Sequence, residues 1–190
     1  MKKQLQFLLV LILAVFLLPN IGYSQVTVGN GTSLQQIPVN AYYGYTYSQQ
    51  IYLASEIGAS GTITQLKFDF QGSSLSSSND WTIYIGHTTK TSFSSGTDWV
   101  ATTAMTQVYS GTFADPGAAG WITFDITDWA YNGTDNIVIA VDENASGYDG
   151  SSDKFNCTSG SSRAIKYNND NTDPDQASPP SGSTMSYFPN

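Results

Sequence analysis

Residues 137–141 read I-V-I-A-V, apolar on both parities of an extended chain. Such a strand is covered on both faces and belongs in the interior of a sheet. The runs around it alternate instead. Leu66, Phe68 and Phe70 share one face, with Lys67 and Asp69 opposite. Ile122, Phe124 and Ile126 oppose Thr123 and Asp125, and Ile83 pairs in parity with Ile85. Upstream, Tyr43, Tyr45, Tyr47, Ile51 and Leu53 share a parity against Gly44, Thr46, Ser48 and Gln50, while residues 164–167 read as a late strand. Period-two alternation between Gly-, Ser- and Asn-rich breaks is the signature of strands. No window of a dozen residues keeps a helical period, and residues 54–57 give one turn at most. Eight to ten short strands predict an all-β fold, an antiparallel two-sheet β-sandwich of jelly-roll type with almost no helix.

The first 24 residues have the form of a secretion leader. Lys2 and Lys3 precede an unbroken apolar run over residues 7–18, Pro19 ends it, and Gly22 and Ser24 supply small residues for cleavage. The run is shorter than the roughly 20 residues a membrane-spanning helix needs. Residues 25–190 are then one β-sandwich domain, with a Pro- and Asp-rich segment over 168–190. The expected location is secreted or cell-surface, without membrane insertion. Removing Lys2 and Lys3 leaves five basic residues against 15 acidic ones. That balance argues against nucleic acid and anionic membranes, which need neutralising Lys/Arg patches. With 13% aromatic residues against 12% charged, the composition is that of a folded chain. Cys157 is the only cysteine, so no internal disulfide forms, and it reads as a small buried apolar residue.

Several stretches carry a resemblance. They are G-N-G-T (29–32), Y-S-Q-Q-I-Y (47–52), W-T-I-Y-I-G-H-T-T-K-T-S-F (81–93), D-W-V (98–100), Y-N-G-T-D-N-I-V-I-A-V-D-E-N (131–144) and D-P-D-Q-A-S-P-P (173–180). Together they resemble an N-terminal β-sandwich module of secreted multidomain surface and adhesin-like proteins of Bacteroidota, many of them exported by type IX secretion. The resemblance implies a targeting or adhesion role and downstream domains that these 190 residues do not include.

Catalytic signatures are weak. His87 is the single histidine and no G-x-S-x-G elbow accompanies it. Asp125, Asp128 and Glu143 stand mostly beside Thr, Asn or other acids, where solvated roles are the default. Two other chemistries fit the residue types better. The first is glycan binding, in which flat side chains stack on sugar rings while amides and carboxylates take the hydroxyls. Trp99, Trp121, Trp129, Tyr42 and Tyr52 are the candidates, with Trp121 exposed by its parity against Ile122 and Trp81 placed in the core by sharing parity with Ile83. The second is structural calcium, which takes six to eight hard oxygens. Asp142, Glu143, Asn144, Asp149 and Asp153 offer them within one acidic loop that is not of the EF-hand pattern, and Asn169, Asn171, Asp173 and Asp175 form a second polar run stiffened by Pro174. The expected function is therefore an exported, non-catalytic surface module binding glycan or a cell-surface component. The alternatives are a structural spacer for a larger exported protein and, behind it, a secreted hydrolase.

Overall fold

The computed structural model describes residues 24–190, so the leader reading over residues 1–23 lies outside it. Nine strands form: β1 (Ser33–Gln35), β2 (Tyr45–Tyr52), β3 (Gly61–Phe70), β4 (Asp80–Thr88), β5 (Thr106–Thr112), β6 (Gly120–Tyr131), β7 (Asn136–Glu143), β8 (Phe155–Asn169) and β9 (Ser183–Pro189). Among the described residues helix is confined to one α turn, α1 (Ala54–Ile57), and a 3-10 turn at Thr102–Ala104. Gly58 closes α1 in the left-handed region with φ of 62°, a conformation that favours glycine. Among the described residues no helix is long and apolar enough to cross a membrane.

The all-β, antiparallel expectation holds. The strands are joined by hydrogen bonds into one nine-stranded sheet of order β5-β4-β7-β2-β8-β3-β6, with β1 and β9 added along β8. The sheet curls until it is nearly barrel-shaped, and no break in the ladder divides it into two. Its terminal strands meet through side chains: the Tyr109 ring of β5 lies 5.1 Å from that of Phe124 on β6, edge to face. The long strand β8 makes the curl possible. Its first part pairs with β1, its last part with β2, and between Ser159 and Ala164 its register with β9 shifts, with Ser162 at φ of 49°. Bulges of this kind bend a strand and re-aim it.

The I-V-I-A-V strand lies between β4 and β2 with every residue from Ile137 to Val141 buried. Ile137, Ile139 and Val141 face the barrel interior, packed with Ile83, Ile85, Phe68 and Phe124 around the fully buried Trp81. The Trp81 indole stacks on Phe124 at 5.1 Å and donates to the Ser78 carbonyl at 2.8 Å. The opposite face carries a second layer. Tyr47, Gln49 and Ile51 of β2 project there beneath the 89–101 connection, where Ile51 clusters with Phe93 and Ile165, and Trp99 lies on Tyr47. The Gln49 amide donates to the Val100 carbonyl at 2.7 Å and accepts from the Val100 N–H at 2.8 Å, holding this flap as a strand partner would. Burial on both faces of β2 forces polar groups inside, so Thr46, Ser48 and Gln50 are fully buried; each makes a side-chain hydrogen bond, and Gln50 Oε1 is left without a partner among the described residues.

Candidate functional site

The alternation on β3 and β6 that points Leu66, Phe68, Phe70, Ile122 and Phe124 inward turns the intervening residues outward. Ladder register then sets them in rows: Asp69 opposite Trp121, Lys67 opposite Thr123, Gln65 opposite Asp125. The row through Asp69 continues over two more strands. Asn156 of β8 donates its amide to one Asp69 carboxylate oxygen at 2.8 Å, and Leu34 of β1 is the register partner of Asn156. Gln71 donates to the other Asp69 oxygen at 2.8 Å. Trp121, Asp69, Asn156 and Leu34 thus cross four strands in a line, about 14 Å at the usual strand spacing. Its ends are apolar and open: Trp121 and Leu34 each expose 48% of their surface. Between them stand a carboxylate fixed by two amides and the amide carbonyl oxygens left as acceptors. An exposed indole at one end of a polar row is suited to stacking on a planar or chair-shaped ligand while the row accepts its hydroxyl protons.

No family model, curated protein or solved structure matches this chain.

The five aromatic candidates do not gather in one place. Trp121 is exposed, as its parity predicts. Tyr42 is 53% exposed in a turn on its own, edge-on to Tyr43, with the 68%-exposed Tyr148 brought near by the Asp149 N–H bond to the Ala41 carbonyl. Trp99 is half-buried, its ring tilted on Tyr47 at 5.2 Å and its N–H donating to the Pro180 carbonyl at 3.0 Å. Tyr52 and Trp129 are core residues. Tyr52 packs edge to face on Phe188 and donates its hydroxyl to the Pro189 carbonyl. Trp129 faces inward because the ladder between β3 and β6 skips between Ile63 and Gln65, which reverses the parity of β6 after Ile126. Plain alternation from Trp121 would have left Trp129 outside. Asp69, Asn156 and Leu34 were not signalled, since Asn156 lies 87 residues from Asp69 and only the ladder brings them together.

The acidic set also divides. Asp149 and Asp153 spend their carboxylates on the Ser-rich 72–78 connection. Asp153 accepts from the Ser73 and Gly150 N–H groups at 2.7 Å each, and Asp149 accepts from Ser77 N–H at 3.1 Å and from Ser76 Oγ at 3.3 Å. Asp115 adds a 2.7 Å bond from Leu75 N–H. These aspartates are staples of a loop that has no strand of its own. Asp142 and Glu143 sit instead on successive positions of β7 and so face opposite sides of the sheet. Asn144 follows, its amide nitrogen bonded to the Asp142 carbonyl at 3.1 Å. Burial, then neighbouring acids, push Asp142 up to about 7, and burial first pushes Glu143 up to about 9. Among the described residues no three His, Cys, Asp or Glu side chains gather closely enough to hold a metal ion.

His87 packs its ring on Trp129 at 4.4 Å and accepts from the Asn132 N–H at 3.3 Å. It lines an open hollow of about 490 Å³ with Lys90, Trp99 and Asp135, where Lys90 is paired to Asp98. Cys157 is fully buried, and burial pushes its thiol up to about 12, so it remains a neutral packing group.

Proposed function

We propose that this protein is an exported, non-catalytic surface module that binds glycan through the Trp121–Asp69–Asn156–Leu34 row. The observation that carries the reading is the exposed Trp121 indole set beside a carboxylate already oriented by Gln71 and Asn156. Orientation before binding lowers the ordering cost of recognition. The leader-like first 24 residues and the resemblance to surface modules of Bacteroidota support export and an adhesive role. An open sheet face buries little ligand area, so a single site binds at roughly micromolar to millimolar strength, about −4 to −8 kcal/mol, and adhesion relies on several copies.

Retention on immobilised glycans or a cell-surface extract tests this. Trp121→Ala should abolish retention while moving the melting temperature little, because half of that side chain is already in water. Trp129→Ala is the contrast, removing a core ring at a cost of about 3–5 kcal/mol in stability. Wild-type protein held by no glycan and no surface extract would leave the structural-spacer role in its place.

A further inference from the structure

Asp142 is a buried charge-bearing group without a partner. It projects from β7 on the same side as Tyr47 and Thr82, its register partners on β2 and β4, away from the barrel interior. Only 2% of it is exposed, and its Oδ1 has no hydrogen-bond partner. Backbone and side-chain groups that lack water normally find partners inside the protein. Among the described residues no cation acts on it. The charges that act on Asp142 are those of Asp173, Asp175 and Asp80, all acidic. Asp173 and Asp175 flank the buried Pro174 on the segment that crosses this face, and Gln176 fastens that segment to β4 by donating to the Tyr84 hydroxyl at 3.0 Å. At the rim, the Asn144 amide nitrogen is committed to the Asp142 and Asp80 carbonyls and to Thr82 Oγ1, which leaves its carbonyl oxygen as an acceptor.

The geometry points to a divalent-cation site of calcium's hard-oxygen type between Asp142 on β7 and Asp173 and Asp175 on the segment laid across it. It differs from the ligand set read from the 142–153 loop, since Asp149 and Asp153 are occupied as staples of the 72–78 connection. Asp142 is the fixed ligand, held by the sheet. Asp173 and Asp175 are exposed, lie outside any strand, and close on the ion from above. Exposed side chains outside a strand can change rotamer, so adjustment of Asp173 and Asp175 is part of binding. A site completed by movable ligands and water suits calcium, which accepts six to eight oxygens in irregular arrangements, better than magnesium, which demands a strict octahedron. Bound there, the ion would neutralise the buried carboxylate and tie the 170–182 segment to the sheet. This assignment does not depend on glycan recognition at the Trp121–Asp69–Asn156–Leu34 row.

The test uses the full chain stripped with a chelator. Terbium, a calcium stand-in, should luminesce on binding through transfer from Tyr47 and Tyr84, and millimolar calcium should quench that signal and raise the melting temperature. Asp142→Asn and the surface change Asp173→Asn should each weaken binding by roughly tenfold or more. Asp149→Asn should leave it intact. Asp173→Asn removes no buried contact, so its result stands even if Asp142→Asn disturbs folding. Wild-type protein that shows neither luminescence nor a calcium shift overturns the site. So does binding that survives both Asp142→Asn and Asp173→Asn, or that is lost only in Asp149→Asn.

Discussion

Arg163 shows how single residues are fixed in this fold. The residue is only 5% exposed, and its guanidinium donates twice to the Ile51 carbonyl, at 2.8 and 2.6 Å, while its Cζ lies 4.4 Å from the Phe188 ring centre. The remaining donors go to Glu56, at 3.1 and 2.7 Å, a two-pronged pair that matches carboxylate geometry. The hydrogen bond from Arg163, ahead of the other influences, holds the Glu56 carboxyl below its ordinary value. A carboxylate whose folded pKa is depressed binds fewer protons folded than unfolded, so its stabilisation is present above about pH 4.3 and is lost as pH falls through the folded value. Glu56→Gln should therefore melt below the wild type at pH 7, with the gap narrowing as pH drops below about 4. A gap of constant size from pH 7 to pH 3 would refute the ionic origin. Side chains this far apart in sequence leave no trace in a linear reading. Trp121 was legible from parity alone, whereas Asp69 with Asn156 became partners only through the ladder, and Arg163 with Glu56 only through the packing of α1 against β8.

At the scale of elements, legibility followed apolar content. The two-sided strand β7 and the one-sided strands β3, β4 and β6 announced themselves because burial there is achieved with Ile, Val, Phe and Trp. Strands β1, β5 and β9 did not. Strand β5 fully buries only Val108, with Tyr109 half-buried among Thr, Gln, Ser and Gly, and β9 ends on Pro189. Their strand identity comes from available partners rather than from their own pattern. The same dependence on context explains Trp129, reversed by one register skip that no alternation rule anticipates. Strand β7 carries the sharpest consequence. Ile139 is paired on both sides, to Ile85 and Gln50, and is 7% exposed. Ile139→Asp places a carboxylate in the barrel interior with no cation, a cost of several kcal/mol against the 5–15 that hold a domain together. It should unfold the protein, while Ile139→Val should lose only about 0.5–1.5 kcal/mol. Soluble, cooperatively melting Ile139→Asp protein would remove β7 from the centre of the sheet.

The molecule as a whole is governed by how its sheet closes. The ladder begins at β5 and ends at β6, so each has one margin without backbone partners. Unpaired margins of that kind invite other chains to add to them. Here the two come together around aromatic rings: Tyr109 and Phe113 both meet Phe124 edge to face, at 5.1 and 5.2 Å, and Phe113 also meets Trp81 at 5.1 Å. The seam is therefore packed but not laddered. Regions open locally in order of how little backbone bonding and burial hold them, so β5 and the facing margin of β6 should be the first part of the sheet to admit solvent. Tyr109→Ala takes away one ring of the seam without touching a ladder bond, and aromatic pairs contribute about 0.5–1.5 kcal/mol beyond their buried area. Hydrogen exchange should then accelerate in residues 106–112 and along β6 by roughly three- to tenfold, the same free energy expressed as an opening constant. The amides of β7 and β2, laddered on both sides, should keep the rate set by global unfolding. If β7 already exchanges as fast as β5 in the wild type, the seam and the sheet open together, and closure is then a property of the entire barrel rather than of its two margins.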